Sequence, residues 1–82
     1  MNDNDKAMAF GLTRGMARAL GVNLIEAVTE GWYRRDELNA LVERCARCGQ
    51  GVRCRPWLAE HQRTALLPDY CRNKTELEAL QL

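Results

Sequence analysis

The sequence predicts an all-α fold: a small bundle of four to five short helices stapled by a four-cysteine metal or cluster site. Three observations point there. Apolar residues recur at helical spacing, β-branched content and period-two alternation are nearly absent, and the cysteines crowd into the C-terminal half as Cys45, Cys48, Cys54 and Cys71. Their spacing is Cys-x2-Cys-x5-Cys-x16-Cys. Four thiolates are a complete ligand set for one tetrahedral metal ion or one iron–sulfur cluster.

Size explains why such a staple matters. The chain has 82 residues, so residues 1–82 read as a single domain with a thin core. Domains this small often gain stability from disulfides or a metal, and a structural metal contributes about 10 kcal/mol or more in finger peptides. The formal net charge of +1 supplies no field to draw the chain onto nucleic acid or an anionic membrane. No stretch approaches the roughly 20 apolar residues that cross a bilayer. The start, Met1-Asn2-Asp3-Asn4-Asp5-Lys6, is polar, unlike the basic-then-apolar opening of a signal peptide. The expected location is therefore cytoplasmic, where closely spaced cysteines are more often ligands than disulfides.

The elements follow in order. Met8, Leu12, Met16 and Leu20 build an apolar stripe on a first helix from about Asp5 to Leu20, stopped by Gly21. Gly11 and Gly15 weaken it; either they admit a close neighbour or they are ordinary surface glycines. Asn23-x-x-Glu26 reads as a capping box for a short helix from Leu24 to about Glu30, closed by Gly31, with Trp32 and Tyr33 in the turn beyond. Asp36 is the expected cap of a third helix. Its face of Leu38, Leu41, Val42, Cys45 and Cys48 carries the first two cysteines to its last turn, before a tight Gly49-Gln50-Gly51 loop. Pro56 suits the first turn of a fourth helix through Trp57, Leu58, His61 and Ala65, ending near Leu66-Leu67-Pro68. Asn73-x-x-Glu76 reads as a second capping box for a last helix with Leu77 and Leu80 inward.

In this layout Cys45 and Cys48 face one point, Cys54 arrives from across the glycine loop, and Cys71 returns just before the last helix. One centre would tie three helices together. Structural zinc usually takes its cysteines as two close pairs, and only one close pair exists here. A close pair followed by a cysteine six positions on, as in Cys45, Cys48 and Cys54, resembles part of the cluster loop of endonuclease-III-type DNA glycosylases. It also resembles the auxiliary-cluster motif of some radical enzymes. Both resemblances imply a [4Fe–4S] cluster, and both cover three cysteines only. Zn²⁺ is the alternative occupant, and two disulfides or free buried thiols are the alternatives to any centre.

Other residues are candidates to surround such a centre. Trp57 and Tyr70 stand near Cys54 and next to Cys71, where bulky rings can exclude water; as plain core aromatics they need no such role. Arg47 and Arg53 belong to a run of six arginines between Arg44 and Arg72, opposed there only by Glu60 and Asp69. Such charge lowers thiol pKa, or else is a solvated surface. His61 could serve as a ligand, although four cysteines suffice. No Ser/His/Asp set, phosphate loop or paired carboxylates are evident, so the chain is expected not to be an enzyme.

Leu20-Gly21-Val22-Asn23-Leu24-x-Glu26-Ala27, the cysteines with Trp57-Leu58-Ala59, and Pro68-x-Tyr70-Cys71-Arg72-Asn73 together resemble a family of short bacterial proteins of unknown function. The resemblance implies a compact helical domain with a cysteine site and implies no activity. The functional expectation is an iron–sulfur accessory protein, an electron carrier or redox/iron sensor that works through a protein partner. The alternative is a zinc-stapled interaction module that docks through Met8, Leu12 and Met16. A nucleic-acid or membrane partner is not expected.

Overall fold

The computed structural model describes residues 3–49 and 51–81, with only the backbone of 3–5 and 52. Met1 and Asn2 of the polar start, and Gln50 of the expected glycine turn, lie outside the described residues. Five helices follow in order: α1 Asp3–Ala19, α2 Leu24–Glu30, α3 Arg35–Cys48, α4 Gly51–Glu60 and α5 Lys74–Glu78. No strand occurs among the described residues.

Helix α1 packs against α3 and α4 and touches α2. Its buried face is Ala9, Thr13, Met16 and Ala17, continued by Leu20 just past its end; Met16 and Leu20 match the expected stripe, while Ala9 and Thr13 take the places expected of Met8 and Leu12. Met8 is consequently 46% exposed while Met16 is buried, so the two do not share a docking face. Small side chains on that face let the neighbouring helices come close. Gly15 continues this: a Cβ there would stand 3.0 Å from Leu58 Cδ1 on α4, whereas Gly11 faces open space. From α3, Leu38, Leu41 and Val42 complete the core, joined by Leu24, Ala27, Leu67 and Leu77.

The helix ends show which local signals were decisive. Gly21, Gly31 and Gly49 all adopt positive φ, the conformation glycine reaches without a Cβ clash. Asn23 caps α2, its Oδ1 accepting from the Glu26 N–H at 3.0 Å. Two expected caps differ. Helix α3 starts two residues early, at Arg35, so Asp36 lies inside the first turn and pairs with Arg34 at 3.3 Å. Asn73 precedes α5 but does not cap it. Its side chain is drawn inward instead: Nδ2 donates to the Leu41 carbonyl at 2.7 Å, and Oδ1 accepts from Arg44 Nε at 2.8 Å.

Helix α4 also departs from expectation, beginning at Gly51 and ending at Glu60. Pro56 therefore lies inside it, and Cys54 sits on the helix rather than before it. The early stop has a visible cause. His61 stacks on Trp57 with ring centroids 4.5 Å apart, and its Nδ1 donates to the Trp57 carbonyl at 2.9 Å. The Thr64 N–H then bonds the Ala19 carbonyl at 2.8 Å, which ties the chain to the end of α1. From there the segment runs without regular structure to α5, fastened by buried Leu67. The Leu67 N–H donates to Glu78 Oε2 at 2.8 Å, and Lys74 Nζ donates to the Leu67 carbonyl at 2.7 Å.

Two outcomes check this wiring. The Lys74 ammonium, at 2.7 Å, and then the Leu67 N–H hold the Glu78 carboxyl below its ordinary value of 4.5. A depressed carboxylate pKa stabilises the fold above the ordinary value and ceases to do so as pH falls below it. Glu78→Gln should therefore lower the melting temperature at pH 7, and the gap from wild type should close near pH 3. Asn73→Ala removes a fully buried double partner and should cost about 1–3 kcal/mol in urea unfolding.

Candidate metal centre

The last turn of α3 carries Cys45 and Cys48 past the end of the Leu38–Leu41–Val42 stripe, because residues three and four apart share a helix face. The first turn and a half of α4 carries Cys54, which is 6% exposed. Cys71 comes from the segment before α5, held there by a bond from its N–H to the Pro68 carbonyl at 3.0 Å. The four cysteines, from three separate parts of the chain, line one cavity of about 20 Å³ together with Leu12, Thr13, Gly51, Arg72 and Asn73. That is room for roughly one water-sized body.

All four are free thiols. Cys48 Sγ donates to the Tyr70 carbonyl at 3.6 Å. Among the described residues, no three His, Cys, Asp or Glu side chains are gathered closely enough to hold a metal ion as they stand. The sulfurs thus share a cavity without forming a tight shell.

The thiol chemistry corrects one expectation. Arginines near the cysteines were expected to favour thiolates, but burial dominates. Desolvation pushes Cys54 up to about 11, with the negative charge of Cys45, Cys71 and Cys48 adding to it, and Arg53 only partly offsets this. Burial likewise raises Cys45 and Cys71. Three groups oppose it: the Thr13 hydroxyl beside Cys45, and the Asn73 N–H and the Lys74 ammonium near Cys71, all favour the ionised sulfur. Burial thus favours the protonated thiol at Cys45, Cys54 and Cys71, and a cation would have to displace those protons.

The residues expected around the site divide. Arg53 acts on Cys54 and lies over the Tyr70 ring, 4.3 Å from its centroid, while Tyr70 OH donates to the Arg53 carbonyl at 3.3 Å. That pair stands outside the cavity lining. Trp57 is half-buried against the core and occupied with His61, and Arg47 is exposed; neither lines the cavity. Thr13 and Asn73 were missed as site residues. Thr13 carries a signal in retrospect: it is the polar member of an otherwise small and apolar α1 face. For Asn73 the local capping pattern pointed the other way.

A second, open groove of about 330 Å³ adjoins the first, lined by Met8, Ala9, Leu12, Cys45, Ala46, Gly49, Gly51 and Arg55. Cys45 is thus a wall shared by the inner cavity and the surface. Among the described residues, no helix is long and apolar enough to cross a membrane.

With this geometry in place, a comparison of the whole chain with protein families is decisive on kinship. A family model matches residues 1–82. The chain belongs to DUF6455, a family of unknown function. Neither a curated protein nor a solved structure matches it. The helical architecture and the cysteine cavity are accordingly the basis for any functional reading of this DUF6455 member.

Neutral, buried thiols should react slowly. In the native protein without metal, alkylation by iodoacetamide at pH 7 should be slowest at Cys54, and denaturation should bring all four cysteines to similar rates. Rapid modification of Cys54 in the folded state would contradict the burial described.

Proposed function

We propose that this protein is a small cytoplasmic accessory protein that holds one [4Fe–4S] cluster through Cys45, Cys48, Cys54 and Cys71. In this reading it serves a protein partner as a one-electron carrier or a redox/iron sensor and catalyses no reaction of its own. One observation carries the reading: four unpaired thiols, delivered by α3, α4 and the segment before α5, line a single cavity. The donor set fits, because four cysteines fill every ligand position of such a cluster and leave none for a substrate. The bound cluster would supply one-electron chemistry. The chain's own part is to hold the sulfurs, shed their protons and exclude water with Leu12 and the α1 face. Cys45 also borders the open groove, which supports exchange with a partner docked there. The protein carries its ligands as one close pair and two single cysteines in a helical setting, and this favours the cluster over a zinc site built from paired knuckles.

The cavity's size supports a second reading, a zinc-stapled interaction module, since about 20 Å³ suits one ion without opening the surrounding elements. Anaerobic purification separates the two. The cluster reading expects brown protein with iron and sulfide near four per chain and a visible absorbance that bleaches on reduction. Colourless protein with one zinc per chain rejects it for the second reading. Protein that takes up neither, from iron and sulfide or from zinc, rejects both. Cys54→Ser should abolish uptake of the centre and remove the rise in melting temperature that loading gives wild type.

A further inference from the structure

Thr13 lies mid-helix on α1 and is 1% exposed, among the most buried side chains of the protein. A threonine there would ordinarily return its hydroxyl to the carbonyl one turn back. This one does not: Oγ1 is buried, meets no partner in ordinary hydrogen-bond geometry, and stands near enough to the Cys45 sulfur to favour its ionised form. A buried hydroxyl without a partner costs about 1–3 kcal/mol. The same residue lines the cavity that the four cysteines share, and it stands beside Cys45. Valine would fill the position at similar volume without that cost, so the hydroxyl calls for an explanation beyond packing.

Resting on the four-cysteine reading above, we propose that Thr13 is a positioning residue for the bound centre, its Oγ1–H donating a hydrogen bond to the Cys45 sulfur once that sulfur is a thiolate ligand. In the unloaded protein the neighbouring sulfur is a neutral thiol, a weak acceptor, and the hydroxyl has nothing better. Loading removes the thiol proton to solvent and leaves a charged sulfur, to which a hydroxyl donates strongly. The hydroxyl keeps its own proton throughout. Its orphan state without metal and its satisfied state with metal are two sides of one arrangement, which biases the site toward the loaded form. It also fixes the direction of the Cys45 lone pairs, at the sulfur that separates the inner cavity from the open groove.

The arrangement predicts effects of opposite sign, which a purely structural threonine would not produce. Thr13→Val should leave the unloaded protein as stable as wild type or more so, measured by melting in excess chelator. The same variant should hold its centre about tenfold more weakly in chelator competition, the scale of one charge-assisted hydrogen bond. Thr13→Ser, which keeps the donor, should restore wild-type retention. With a cluster bound, Thr13→Val should also shift the reduction potential negative, because a donor to sulfur favours the more negative reduced state. Equal retention by wild type and Thr13→Val, or failure of Thr13→Ser to rescue, overturns the assignment while leaving the cysteine site standing. If wild type itself takes up neither iron with sulfide nor zinc, the cysteine site fails and the Thr13 assignment with it.

Discussion

The buried amide of Asn73 is the constraint on which the cysteine site depends. Three of the four sulfurs ride on α3 and α4, whose positions follow from ordinary helix packing. The fourth belongs to a segment with no regular structure, and such a segment needs fastening to hold a side chain in place. Asn73 provides it two residues after Cys71, with one hand on the Leu41 carbonyl and the other on Arg44. Both contacts belong to α3, the helix that carries Cys45 and Cys48. The last cysteine is thereby referenced to the first two through side-chain hydrogen bonds, independently of any metal. Leu67, Lys74 and Glu78 repeat the device on the other side of the segment.

Burial and charge compete at the sulfurs, and burial prevails. Arginines are plentiful in this part of the sequence, yet those facing outward spend their field in solvent, where charges are screened. What acts on the thiols lies close by: the Thr13 hydroxyl, the Asn73 backbone N–H, the Arg53 and Lys74 charges, and the mutual repulsion of the sulfurs as they ionise. A cation bound there would reverse the sign of the local field.

Much of the fold was legible because local rules decided it. Helix α2 and its Asn23 cap, the three left-handed glycines and the α3 stripe ending in two cysteines all followed from spacing and turn chemistry. The misreadings share a cause, which is tertiary competition for groups that local patterns assign elsewhere. Asn73 looks like a cap and is used as a brace. The chain after His61 looks helical until the Ala19 carbonyl claims the Thr64 N–H. Of the expected α1 stripe Met16 and Leu20 are buried, but Met8 is exposed and Leu12 only half-buried, because at a close helix contact the small Ala9, Thr13 and Ala17 go inside. In the site, the cysteines announced themselves by type and spacing. Thr13 did not, since its burial beside Cys45 comes from how α1 packs against α3, which the α1 sequence alone does not fix.

The position of Cys45 gives the site a front and a back. Cys54 looks inward, away from solvent, and Cys71 is backed by the braced segment, whereas Cys45 alone among the four borders the open groove. A small oxidant, a chelator or an ion entering through that groove meets Cys45 first, while Cys48 and Cys71 are partly exposed elsewhere. Anything seated over Met8 and Gly49 would cover that approach to Cys45 and leave the flank at Cys48 and Cys71 open.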